Sequence, residues 1–306
     1  MAPQDGVDAD ELIKNADMAL YAAKGNGGGE HRFFAAEMEE HAQARRALEL
    51  DLRDALARDE LQVYYQPLVD LQTGRITTCE ALLRWQHPER GYISPTEFVP
   101  IAEETGLINS IGEWVLQRAC QDAVTWPKDT KVAVNMSPVQ FRDRSLGARV
   151  VSALAKSGLP AQNLDLEITE RVLMEESDNT LYTMEQLKVL GVRISLDDFG
   201  TGYSSLNYLR KYPFHKIKID RSFIADLGQD DEAPSIVRAV AGLGNSLNMT
   251  VVAEGIENEE QLKQVREEGC HEGQGFLFSR AVPADVILEK LQTPPPPKRP
   301  GLVAVA

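Results

Sequence analysis

Val192-Arg193-Ile194-Ser195-Leu196-Asp197-Asp198-Phe199-Gly200-Thr201-Gly202 carries the reading of the fold. A short run with branched apolar side chains, which suit a strand, ends on two adjacent carboxylates and a glycine-rich turn. Further runs end in an acid or amide in the same way: Val132 to Asn135, Leu164 to Glu167, Ile217 to Asp220 and Val251 to Glu254. Adjacent carboxylates repel unless cations, hydrogen bonds or protonation relieve them. Acids gathered at several strand ends therefore point to a divalent-metal site more readily than to a structural core.

Outward from this stretch, short strand-like runs alternate with longer helical windows. Strands are expected near 61–69, 76–84, 131–137, 164–169, 192–198, 215–220, 249–255 and 273–278. The intervals leave room for crossover helices, which favours an α/β barrel over a sandwich. Ser94-Pro95-Thr96-Glu97 and Ser110-Ile111-Gly112-Glu113 both carry the spacing of a helix cap followed by a glutamate.

Strand alternation places the polar residues. Ala133 shares a face with Asn135, and Glu80, Leu82 and Arg84 share another. Lys218 and Asp220 are expected to point into the barrel while Ile217 and Ile219 pack against helices. Small side chains at Ala133 and Ser195 leave room below such a site. A regular strand cannot turn both Asp197 and Asp198 inward, so the strand is expected to end between them, with Gly200 and Gly202 relaxing the turn. One of the pair can then bridge two metals while the other binds one.

Composition sets limits. The chain has 306 residues, 43% hydrophobic and 26% charged, as in ordinary folded domains. Asp plus Glu outnumber Lys plus Arg by 47 to 32, a formal charge of −15, which argues against a long nucleic acid as partner. A small phosphorylated ligand stays compatible, because metal ions can invert the local field. Cys79, Cys120 and Cys270 form no close-spaced pair, and the histidines lack structural-zinc spacing. Cys79 and Cys270 read as packing residues, His87 and His271 as surface or turn residues. No apolar stretch reaches membrane-spanning length and no signal-peptide pattern opens the chain. A cytoplasmic location is expected for this segment, with membrane-bound sequence upstream still compatible.

Four regions follow. Residues 1–35 form a lead-in with a helix around Ala16 to Lys24; Gly27-Gly28-Gly29 is a turn, lacking the strand and helix that a phosphate loop needs. Residues 36–59 read as a connecting helix and 60–292 as the barrel. Residues 293–306 are a tail with four consecutive prolines.

Glu80-Ala81-Leu82, extended to Leu83-Arg84-Trp85, opens an ordered set of motifs. Asn135-Met136-Ser137, Leu166-Glu167-Ile168-Thr169-Glu170, Asp197 to Gly202 and Lys216-Ile217-Lys218-Ile219-Asp220 follow. Ala253-Glu254-Gly255-Ile256-Glu257 and Gln274-Gly275-Phe276-Leu277-Phe278 complete it. In this order the chain, over about residues 45–291, closely resembles the EAL family of cyclic-di-GMP phosphodiesterases. The resemblance implies a modified TIM barrel whose first strand runs against the others. It also implies hydrolysis of cyclic-di-GMP to linear 5'-pGpG, supported by two Mg2+ or Mn2+ ions.

By the same resemblance Glu80, Asn135, Glu167 and Asp197 match the principal metal positions. Asp198 and Glu254 match positions around the second metal or its water, with proton management and metal binding both open for Glu254. Lys218 matches a lysine that contacts water or phosphate, and Gln274 another polar site position. Arg84 suits a phosphate contact, since guanidinium groups form paired hydrogen bonds. Glu170 and Glu257 match supporting positions, Glu170 beside the loop that bears the acidic pair. The family often dimerises near that loop, so a homodimer is compatible.

His271 stands where many resembling sequences carry aspartate, and could alter local support or pH response; Phe276 replaces a common tyrosine and keeps the ring. Ala16 to Lys24 resembles the end of a GGDEF diguanylate-cyclase domain, without its catalytic motif, so the lead-in is expected to be a remnant and not a cyclase. Its regulatory domain would then lie upstream, outside this segment. The alternative function is a catalytically inactive cyclic-di-GMP receptor, which binds nucleotide without turnover because catalysis demands tighter positioning than binding. A broader phosphodiesterase would cleave unrelated phosphodiesters, and a purely structural barrel would bind neither nucleotide nor metal.

Overall fold

The structure, a computed structural model, describes residues 5, 7–25, 31–174, 178–201, 206–228 and 232–293. The glycines at 27–29, Gly202 and the prolines at 294–297 lie outside them. Nine strands are described: β1 Leu61–Asp70, β2 Ile76–His87, β3 Gly91–Ile93, β4 Lys131–Met136, β5 Leu164–Thr169, β6 Arg193–Phe199, β7 Lys216–Ile219, β8 Thr250–Ala253 and β9 Glu272–Gly273. Their order is β1-β9-β8-β7-β6-β5-β4-β2-β3, and pairing of β1 with β2 closes a ring of eight, with β3 a short antiparallel addition on β2. β1 is antiparallel to both neighbours, whereas the remaining ring contacts, from β2–β4 round to β8–β9, are parallel. This is the modified TIM barrel with one reversed strand.

The alternation works as the side chains dictate. Val132 and Val134 on β4, Leu164, Leu166 and Ile168 on β5, Ile194 and Leu196 on β6, and Ile217 and Ile219 on β7 are buried in one continuous core. Each such side chain contributes about 1.5–3 kcal/mol on leaving water. The intervening residues face the barrel axis and are largely polar.

Helix Ala36–Ala55 packs against helix Pro95–Thr105, burying Leu48, Leu52 and Ala55, and Arg45 reaches Glu104 at 2.7 Å. Among the described residues no helix is long and apolar enough to cross a membrane.

Several local expectations need correction. Ser94 caps its helix, its Oγ accepting from Thr96 N, but Ser110 caps nothing: its helix already begins at Ile108, and the hydroxyl donates to Leu107 O at 2.9 Å. Asp220 does not point into the barrel. It caps helix Arg221–Ala225, its Oδ1 accepting from Ser222 N at 2.9 Å, because β7 ends one residue earlier. His87 is buried, its Nδ1 accepting the N–H groups of Glu89 and Arg90 in the turn after β2.

The last strand stops at Gly273 instead of running to 278. There the chain folds over the loop after β8: Ile256 N donates to Gln274 O and Leu277 N to Ile256 O. A Cβ on Gly275 would come within 2.1 Å of Ile256 O, so only glycine permits this crossing.

Candidate active site

β6 does not end between its two acids; it runs through them to Phe199. Its register with β7 shifts between Leu196 and Phe199, and Asp198 sits at φ 52°. That left-handed residue, which aspartate tolerates better than most side chains, breaks the alternation. Asp197 Oδ1 accepts the Asp198 N–H at 3.0 Å and steadies the kink. The loop beyond is held by Glu170, the first residue after β5, whose Oε1 accepts the Gly200 N–H at 2.9 Å. Gly200, at φ 99°, lies so close to Phe223 that a Cβ would approach its ring to 2.7 Å.

Around this kink the C-terminal strand ends converge. Glu80 from β2, Glu167 from β5, Asp197 from β6 and Lys218 from β7 are all buried. Lys218 Nζ lies 2.7 Å from Glu254 Oε1, 2.9 Å from Glu167 Oε2, 3.0 Å from Asp197 Oδ1 and 3.8 Å from Glu80 Oε2. Glu80 is gripped from both sides: Asn135 Nδ2 donates to Oε1 at 2.7 Å and Gln274 Nε2 to Oε2 at 2.6 Å. Asn135 thus commits its nitrogen to Glu80 and keeps its amide oxygen as a possible ligand atom.

The charges respond to this crowding. Burial alone would raise Glu80, but the Lys218 charge, with Gln274 and Asn135, holds it below the ordinary carboxylate range. Burial drives Glu167 well above that range. Burial, then Lys218 in opposition, then Asp197 leave Glu254 pushed up to about 8. Burial and the neighbouring Asp197 push Asp198 up to about 6. Burial disfavours the Lys218 ammonium, yet its surrounding carboxylates hold it well above the usual lysine range. One cation is thus shared among more acids than it can neutralise.

The residues fit a metal. Glu80, Glu167 and Asp197 each offer an oxygen within 4.8 Å of the others, and so do Asp197, Asp198 and Glu254. Asp197 belongs to both groups. Glu167 Oε1 and Gln274 Oε1 are buried without a hydrogen-bond partner, which is costly unless something else engages them. An all-oxygen donor set suits hard cations such as Mg2+ and Mn2+.

Arg84 is half-buried near the mouth, its Nη1 donating to Leu83 O at 2.9 Å and its guanidinium 5.8 Å from the centre of the Tyr64 ring. Burial lowers its pKa. Glu257 is not drawn into the cluster: it is exposed, its N–H donates to Gln261 Oε1, and its carboxylate meets no partner among the described residues. His271 is exposed, and its Nδ1 accepts the Val251 N–H at 3.0 Å. Cys79 and Cys270 are free and buried.

Two residues before Glu80, Glu167, Asp197, Lys218 and Gln274 the chain carries a further polar layer of which the sequence reading singled out Ser195 alone. Thr78, Asp165, Lys216 and Glu272 are buried there. The signal was the same i, i+2 alternation, applied one step further down the strands.

The sequence matches the EAL domain family over residues 49–281. The bifunctional diguanylate cyclase/cyclic di-GMP phosphodiesterase MucR of Pseudomonas aeruginosa is 45% identical over 290 residues, covering 94% of this chain and 42% of that protein. The cyclic di-GMP phosphodiesterase NbdA of the same organism is 40% identical over 294 residues, covering 95% of this chain and 38% of that protein. The solved PaMucR phosphodiesterase in complex with c-di-GMP has a TM-score of 0.77 at 46% identity, covering 79% of this chain and 100% of that one. The chain spans less than half the length of these two curated relatives. With that match reaching from before β1 to beyond β9, the chain belongs to the EAL domain family.

Proposed function

We propose that this chain hydrolyses one phosphodiester bond of cyclic-di-GMP to give linear 5'-pGpG, with two Mg2+ or Mn2+ ions. The observation that carries the reading is Asp197, common to two groups of three carboxylates that face one buried lysine. Glu80, Asn135, Glu167 and Asp197 would hold one ion; Asp198 and Glu254, with Asp197 between, the other. Such a pair of ions supplies an activated water and neutralises charge on the phosphoryl group.

The chain's own groups do the rest. Lys218 is kept charged by its carboxylates and, once metal ions engage those carboxylates, would turn a donor to the water or to a phosphate oxygen. Glu254 carries a proton near neutral pH in the absence of metal and yields it when it ligates. Gln274 fixes the Glu80 carboxylate, and Arg84 at the mouth can pair with a phosphate. Glu170 anchors the backbone after the acidic pair through Gly200. The nucleotide in the PaMucR complex supports cyclic-di-GMP as ligand. The matched lengths of MucR and NbdA include residues upstream of the family match, and MucR is named as a diguanylate cyclase as well, which supports reading helix Ala9–Gly25 as the end of a GGDEF domain.

The test is turnover by protein stripped of metal, before and after adding Mg2+ or Mn2+, with pGpG resolved as product. Metal-dependent pGpG formation is expected, and Glu80→Ala should abolish most of it. Intact substrate, with folding and metal occupancy verified and saturable cyclic-di-GMP binding, would replace the enzyme by a non-hydrolysing receptor.

A further inference from the structure

The interior of a parallel α/β barrel is usually filled with branched apolar side chains. Here the positions two residues before Glu80, Glu167, Asp197, Lys218 and Gln274 are Thr78, Asp165, Ser195, Lys216 and Glu272, and all are buried. Lys216 Nζ lies 2.7 Å from Glu272 Oε2 and donates to Thr78 Oγ1 at 3.0 Å. β7, which carries Lys216, stands four strands from β2, which carries Thr78, in either direction round the ring. The two strands are therefore diametrically opposed, and one lysine side chain spans the barrel between them. Its second contact is on β9, which closes the ring beside β1.

Such a pair is a poor device for stability alone. Burying an ammonium and a carboxylate costs most of what their attraction returns, and well-packed apolar side chains of similar volume often do as well. What the pair supplies is a fixed distance. One pleat above, β7 and β2 present Lys218 and Glu80, and Gln274 follows directly on β9; Lys218–Glu80 at 3.8 Å and Gln274–Glu80 at 2.6 Å join them. Resting on the metal-site reading above, we propose that Lys216, Glu272 and Thr78 form a cross-barrel strut that positions Glu80 and Gln274 relative to β7, and so sets the spacing of the metal ligands. These are positioning residues, acting through Glu80 and Gln274.

Lys216→Met paired with Glu272→Gln removes both charges and leaves neither ion unpaired; Thr78→Val removes the arm to β2 and keeps the ion pair. Mn2+ titration by calorimetry, beside melting curves in chelator, tests the strut. The expected result for the double variant is Mn2+ binding weaker by about tenfold or more, the scale seen when groups supporting metal ligands are lost. Thr78→Val should shift it less, in the same direction. A merely structural pair would lower the melting temperature and leave Mn2+ affinity in place, and that result overturns the proposal. If the double variant fails to fold, unchanged affinity in Thr78→Val overturns it equally. Absence of Mn2+ binding by the wild-type chain would instead overturn the metal-site reading, and this inference with it.

Discussion

Glu170 Oε1 accepts the backbone N–H of Gly200 at 2.9 Å, fastening the end of β5 to the turn that follows the Asp197–Asp198 pair. The bond joins two segments that are 30 residues apart in sequence. Glu170→Ala removes a hydrogen bond to a charged acceptor, typically worth about 1.5–3 kcal/mol. The penalty falls on the placement of two ligand candidates and hardly on the barrel. Turnover with Mn2+ should fall by about tenfold or more while the far-ultraviolet spectrum is unchanged, and Glu170→Gln, which keeps an acceptor, should recover part of it. Unchanged turnover in Glu170→Ala would remove the coupling.

Lys218 holds apart acids that would otherwise repel. Lys218→Met deletes the only ammonium within 4.0 Å of Glu80, Glu167, Asp197 and Glu254 among the described residues. Stranding buried charges is typically worth about 3–5 kcal/mol, so the variant should melt well below wild type in chelator. Saturating Mn2+ supplies the missing positive charge and should restore much of the melting temperature, though little turnover. Differential scanning calorimetry with and without Mn2+ decides the matter; equal losses in both conditions would count against a shared metal and lysine site.

The pH response has a defined sign. Asp198 is raised from 3.8 to about 6, and Glu254 from 4.5 to about 8, chiefly by burial. In these windows the folded chain keeps protons that the unfolded chain has released. Their stabilising contribution is full below the unfolded values and is lost as pH rises through 6 and then 8. The metal-free protein should thus become easier to unfold in urea as pH rises from about 4 to about 8. Mn2+ binds the ionised ligands, so its stabilising increment should grow over the same interval. An increment independent of pH would contradict the proton release assigned to these acids.

Legibility tracked local pattern. The short strand-like runs give eight barrel strands because apolar-out, polar-in alternation is a two-residue rule visible in any short window. That rule also places Glu80, Asn135, Glu167 and Lys218 around one mouth. It fails where non-local contact decides. The strand expected at 273–278 is cut short at Gly273 because the chain must cross Ile256, which no local signal announces. Ser110 matches a cap yet lies inside a helix that starts at Ile108. His87 is buried, with Asp51 of a preceding helix 3.3 Å from its Nε2. The bend at Asp198 reads as a strand end, whereas the backbone absorbs it with one left-handed residue and a register shift.

That left-handed residue sets the last prediction. At φ 52° a non-glycine residue forfeits about 1–2 kcal/mol, and the Asp198 carboxylate is further opposed by burial and by Asp197. Asp198→Gly removes both penalties and should raise the melting temperature in chelator near pH 8. Asp198→Asn removes the charge but keeps the strained conformation, so its gain should be smaller, and Asp198→Ala, less tolerant of this backbone, should gain least. Asp198→Gly and Asp198→Ala lose an oxygen ligand from the group formed with Asp197 and Glu254, and Asp198→Asn exchanges a charged one for a neutral amide oxygen. Each should therefore bind Mn2+ more weakly and lose most turnover, so that stability and metal affinity move in opposite directions in Asp198→Gly. Calorimetric melting paired with Mn2+ titration reads both. If Asp198→Gly is no more stable than wild type in chelator, the strain and the repulsion assigned to Asp198 are not there; if its Mn2+ affinity is unchanged, Asp198 is not a ligand.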